Sequence, residues 1–239
     1  MHLLCIRRMP AVSYLYRMVI TVKTIVCYGD SNTHGYDPVD EGRYPYEVRW
    51  PGRLQLLLGR DAYYVVEEGL NSRSTVQSDA CYDDDKSGVA LLPTSIKTHM
   101  PVDLLILMLG TNDLKLRFHM EPVDIARGAA LLVQTAKQVS IAKSKDGTPC
   151  EILLVAPPHI TEHLRNGRCF DEFGDRAIGL SRELSDRYAA VAQNSGVHFL
   201  DAAKLVTPSE LDGLHLTPDG HAVLAQAMTE ACRAILAHC

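Results

Sequence analysis

Outside its first two dozen residues, no stretch of this 239-residue chain approaches the roughly 18 uninterrupted apolar residues that a membrane-spanning helix needs. In that leading segment Arg17 breaks the apolar run and no small-x-small site follows, so a cleaved signal peptide is not expected. Positive charge is not in excess either: 24 Lys and Arg stand against 29 Asp and Glu, a formal net charge of -5. That balance carries no electrostatic footprint for nucleic acid or an anionic membrane, and neither is expected as a partner. The seven cysteines (Cys5, Cys27, Cys81, Cys150, Cys169, Cys232, Cys239) never form C-x-x-C. Odd in number and scattered, they argue against a disulfide framework or a zinc site and for reduced thiols in a cytoplasmic protein. G-x-G-x-x-G is missing after the first apolar run, and G-x-x-x-x-G-K-[ST] is missing throughout, so nothing is evident to cradle a nucleotide phosphate.

A hydrophobic content of 46% is enough for a sizeable core. Residues 1–22 are expected to be an N-terminal extension, either poorly ordered or the result of a start upstream of Met18, and residues 23–239 a single domain. Five short apolar runs read as buried strands: Thr24 to Tyr28, Ala62 to Val66, Leu104 to Leu109, Ile152 to Ala156 and Val197 to Leu200. Helical spacing fills the intervals at Pro51 to Leu58, Lys86 to His99, Val123 to Lys143, Asp175 to Asn194 and Pro218 to Ala237. Thr217-Pro218-Asp219 reads as an N-cap followed by Pro at the first helical position, and Gly196 closes the helix before it. The alternation predicts an α/β fold, a five-stranded parallel sheet with helices on both faces. Asp37 to Arg49 and Pro157 to Gly174 are expected to be irregular loops that shape a pocket or a subunit contact.

In such a sheet ligands bind outside the carboxyl ends of the strands, so the residues after each apolar run carry the information. They are Gly29-Asp30-Ser31-Asn32-Thr33, then Glu68-Gly69-Leu70-Asn71-Ser72-Arg73-Ser74-Thr75, then Gly110-Thr111-Asn112-Asp113, and finally Asp212-Gly213-Leu214-His215. Acyl transfer needs a nucleophile, a base, a group to orient the base, and donors aimed at the developing oxyanion. Ser31, at a strand-to-helix turn, is the candidate nucleophile. Asp212 and His215 share one short loop, which lets the carboxylate hold one imidazole nitrogen while the other faces Ser31. Asp30 and Asp113 are expected to hold the loops through neighbouring backbone. His221, in the last helix, competes with His215 but reads as packing or surface.

Taken together in this order, GDSN, the second block, GTND and D-x-x-H resemble the signature blocks of the SGNH (GDSL-type) serine hydrolases, from about Lys23 to the C-terminus. VRWPGRL, EEGLNSRST, LPT, LILMLGTND and FLDA are similar to the wording of the bacterial arylesterase and acyltransferase branch. The resemblance implies a three-layer flavodoxin-like fold and hydrolysis of small short-chain acyl esters, acetyl or aryl, without metal or other cofactor. It also implies acyltransferase side activity and a homo-oligomer; a carbohydrate acetyl esterase is the alternative within the family. By position it makes Ser31 the nucleophile, His215 the base and Asp212 its orienter. The oxyanion hole becomes the Ser31 N–H, the Asn112 side-chain amide and a backbone N–H of the second block. Ser72 stands where many relatives have glycine, and Gly69 is the fallback for that donor. Asn32, His34 and Tyr36 are expected to border the substrate pocket, polar Asn32 and His34 favouring water over an alcohol as acyl acceptor. Two rivals lie outside the family: a metal-dependent phosphoesterase holding two metals on the GD, ND and D-x-x-H fragments with His34 and Asp37, and a nucleotide-binding module on the same scaffold.

Overall fold

The computed structural model describes residues 22–141 and 147–237. The expected N-terminal extension, apart from Val22, lies outside the described residues. The five apolar runs form β1 (Lys23–Gly29), β2 (Tyr63–Gly69), β3 (Leu104–Met108), β4 (Glu151–Ala156) and β5 (His198–Asp201). All pair in parallel in the order β2-β1-β3-β4-β5. Parallel neighbours need crossovers, and helices α1 (Ser31–His34), α2 (Trp50–Leu58), α3 (Gly88–His99), α4 (Pro122–Ile141), α5 (Phe170–Ser181), α6 (Leu184–Ser195) and α7 (Pro218–Leu236) lie in them or after β5.

Strand side chains alternate between two cores. Val26, Tyr28, Leu105, Leu107 and Leu154 face α3, α4, α5 and α6, whereas Ile25, Cys27, Ile106, Met108 and Leu153 face α2 and α7. Both faces are therefore apolar, which is why these strands read as continuous hydrophobic runs without a polar face. The result is the expected three-layer flavodoxin-like fold. Its strand order reverses between β1 and β3, so their carboxyl ends open a crevice where Ser31 and Asn112 emerge. Among the described residues no helix is long and apolar enough to cross a membrane, and the five cysteines are free thiols.

Two boundaries differ from expectation. The segment from Asp175 to Asn194 is not one helix. After Ser181 the N–H groups of Arg182 and Glu183 bond carbonyls only three residues back, which tightens the chain and separates α5 from α6. Gly179, whose carbonyl accepts the Arg182 N–H at 3.2 Å, stands just before that break. The stretch from Pro157 to Gly174 is less irregular than expected: it holds a 3-10 turn at Glu162–Asn166 and the start of α5, which departs from helical geometry at Gly174, φ 63. The segment from Asp37 to Arg49 does run as a loop, closed by a single bridge between Tyr36 and Arg43. Its anchors are Arg43 and Arg49, both 2.6 Å from Glu67 on β2.

Candidate active site

Ser31 opens α1, a helix of four residues. The carboxylate of Asp30 caps it by accepting the Asn32 N–H at 3.0 Å. Gly69, at the end of β2, lets α1 come this close: a Cβ there would stand 2.1 Å from the His34 nitrogen. Gly69 thus packs under Thr33 and His34, and this close approach explains the glycine.

The base loop is a compact turn. Asp212 Oδ1 accepts the N–H groups of Leu214 at 2.9 Å and His215 at 3.0 Å, and its Oδ2 lies 2.6 Å from His215 Nδ1. The other ring nitrogen, Nε2, is 2.9 Å from Ser31 Oγ. Although burial opposes ionisation, the imidazole and the two N–H groups hold the Asp212 carboxyl below the usual carboxylate range. An ionised Asp212 fixes the proton on Nδ1 and leaves Nε2 as the acceptor toward Ser31. Tyr36 covers the imidazole, with ring centroids 4.4 Å apart. His221 is fully buried elsewhere. Its Nδ1 accepts the Trp50 N–H at 3.3 Å, capping α2 where Arg49 supplies no side-chain cap, and burial, aided by His215 and Arg53, lowers its pKa to about 4. It is a packing residue.

Asn32 corrects the expectation drawn for it. It is 3% exposed, its Nδ2 donates to Leu214 O at 3.2 Å, and its Oδ1 accepts the Leu216 N–H at 3.0 Å. Both ends of the amide are engaged by the base loop, so Asn32 staples the nucleophile turn to that loop and does not hold water at a pocket mouth. His34 is half-buried beside Gly69, and burial, with Arg43 nearby, depresses its pKa. Asp37 accepts the Val39 N–H at 2.9 Å within its own loop. Among the described residues no group of three or more His, Cys, Asp or Glu is placed to hold a metal ion.

On the oxyanion side, Leu70 to Arg73 forms a turn closed by the Arg73 N–H on Leu70 O at 3.1 Å, with Ser72 at φ 67. That left-handed position suits glycine, so Ser72 is accommodated under strain. Asn112 is buried, and its Nδ2 donates to Arg73 O at 3.2 Å, leaving the second amide hydrogen for a ligand. Asp113 accepts the Thr75 N–H at 2.9 Å and the Thr75 hydroxyl, locking the second block to the third. Burial raises the carboxyls of Asp30 and Asp113 to about 6, against the hydrogen bonds each accepts. An open cleft of about 500 Å3 lies beside Asp212, between Pro38 and Val39 on one side and Asn166, Arg168 and Leu211 on the other. The sequence named Ser31, Asp212, His215, Ser72 and Asn112, and the structure brings them to one end of the sheet. It assigned no role to Thr75 or Arg73, whose importance lies in contacts 38 to 44 residues away.

The chain is similar to known proteins. A family model described as the GDSL-like lipase/acylhydrolase family matches residues 27–223. An aryl esterase from M. smegmatis is 35% identical, with a TM-score of 0.82 over 90% of this chain and 100% of that one. A carbohydrate acetylesterase from Sinorhizobium meliloti is 35% identical, with a TM-score of 0.82 over 89% of this chain and 99% of that one. A second member of the carbohydrate acetylesterase family from that organism is 32% identical, with a TM-score of 0.84 over 90% and 100%. No curated protein matches the sequence significantly.

Proposed function

The chain belongs to the GDSL-like lipase/acylhydrolase family and is a carboxylic ester hydrolase, and from that premise we propose that it cleaves small short-chain acyl esters, acetyl or aryl, through an acyl-enzyme on Ser31. The observation that carries this reading is the chain of contacts Asp212 to His215 to Ser31, at 2.6 and 2.9 Å. Ser31 Oγ attacks the ester carbonyl carbon as its proton passes to His215 Nε2. The imidazolium that forms is stabilised by Asp212 and lies against the Tyr36 ring. Negative charge then develops on the former carbonyl oxygen. Its donors are the Ser31 N–H, one of the first-turn N–H groups without a partner inside the helix, the Ser72 N–H and the free amide hydrogen of Asn112. When the intermediate collapses, His215 gives its proton to the departing alcohol. Water, activated by the same imidazole, releases the acid.

Transfer to an alcohol in place of water is a side activity of this reading, since the acyl-enzyme partitions between acceptors. Acetylated carbohydrate is its second substrate reading: the cleft beside Asp212 pairs an aliphatic wall with Asn166 and Arg168, and the Sinorhizobium relatives point the same way. Asp30 and Asp113 act as supports of the loops. Self-association is part of the proposal, supported by exposed Leu56, Leu57 and Val223 on the adjacent helices α2 and α7. The test is hydrolysis of nitrophenyl acetate. It is expected to resist chelators and to be abolished by a serine-directed organophosphate, whereas loss to the chelator would favour metal-dependent chemistry.

A further inference from the structure

Arg73 has no part in the chemistry just described, yet it is only 5% exposed. Burying a guanidinium is strongly unfavourable unless something compensates its charge. No carboxylate among the described residues forms an ion pair with it; Glu68 and Asp30 act on it from farther away. Instead its Nη1 donates to Gly29 O at 3.0 Å and also to the carbonyl of Glu68, while the guanidinium lies 4.0 Å over the Tyr28 ring. Tyr28 is itself fixed through its hydroxyl to Gly88 O at 2.7 Å.

The positions of these partners give the contact its meaning. Gly29 ends β1 two residues before Ser31, and Glu68 precedes the last residue of β2. The main chain of the same residue closes the turn that holds Ser72 and accepts the Asn112 amide at 3.2 Å. One residue therefore joins the ends of β1 and β2 through its side chain, and the group that follows β3 through its carbonyl. We propose that Arg73 is a positioning residue: its buried guanidinium locks the ends of β1 and β2 together, so that its carbonyl holds the Asn112 amide facing the oxyanion. The inference rests on the serine-esterase reading above.

The chemistry explains the residue type. A single nitrogen reaches both carbonyls while the flat guanidinium stacks on Tyr28; an apolar side chain would take this donor from both, leaving Gly29 O with the Leu70 N–H at 3.1 Å and nothing to tie it to Glu68 through Arg73. A lysine can still donate to both but loses the stacking. If the turn shifts, the amide rotates, and a donor to an oxyanion weakens steeply with angle.

A double-mutant cycle in nitrophenyl acetate hydrolysis tests this. Arg73→Met is expected to lower kcat about 30-fold with KM changed less than about 3-fold, and Arg73→Lys to recover most of that loss. In an Asn112→Ala background, Arg73→Met should lower kcat by no more than about 3-fold, because the amide it positions is gone. An equal fold-loss in both backgrounds, or no loss in the first, would overturn the proposal. If Arg73→Met does not melt cooperatively, Arg73→Gln in the same cycle reads the same coupling. Failure of the wild type to hydrolyse any acetyl ester would overturn the esterase reading, and this inference with it.

Discussion

Asp212 and His215 are three residues apart, and Asp212 accepts the N–H groups two and three residues ahead of it. The bonds that hold Asn112 and Asp113, by contrast, cross 39 and 38 residues, to Arg73 and Thr75. One half of the site is a turn that organises itself; the other exists only once β1, β2 and β3 have paired. A local turn tolerates small shifts of the sheet. Donors carried on separate strand ends do not, so the oxyanion side should be the more sensitive to changes at a distance.

The largest effect that sharpens this contrast is expected at Asn112. Its replacement by Ala should lower kcat roughly 100- to 1,000-fold and leave KM nearly unchanged, since the amide acts only when the oxyanion forms. A rise in KM alone would make Asn112 a substrate-binding or capping residue. Next comes the seam between the halves. Asn32→Leu removes two bonds that span 182 and 184 residues and leaves Leu214 O and the Leu216 N–H without partners. Destabilisation of roughly 2–4 kcal/mol is expected in denaturant titration. A stability unchanged within about 0.5 kcal/mol would mean that the two halves are joined elsewhere.

The smallest effect is expected at Ser72, φ 67. Ser72→Gly relieves left-handed strain of about 1–2 kcal/mol, most of it offset by the extra freedom of glycine in the unfolded chain, for a net gain of about 0.5 kcal/mol. Activity within about twofold of wild type would fit Ser72 acting through its backbone alone. A large loss would show that the hydroxyl takes part.

The same local and non-local division separates what was legible in the sequence from what was not. The strands were readable because both sheet faces are covered, making each an uninterrupted apolar run, and the pairing of Asp212 with His215 because the bonds Asp212 accepts lie within three residues. Asn32 was misjudged: a polar residue next to a nucleophile resembles a pocket residue, and only the fold shows that the base loop consumes both ends of its amide. Arg73 and Thr75 were in plain view in the second block, but their partners, Gly29, Asn112 and Asp113, are neighbours only after strand pairing. The break after Ser181 follows Gly179, but a lone glycine inside a helical pattern is tolerated and does not by itself mark an end.

The measurement that tests the central claim most directly is reaction with a serine-directed organophosphate, the adduct mapped by mass spectrometry in the wild type and in Ser31→Ala. A single adduct on Ser31 is expected, forming in step with loss of esterase activity and absent from the variant, which should fold as the wild type does. An adduct on another residue with activity lost, or full activity in Ser31→Ala, would contradict Ser31 as the nucleophile.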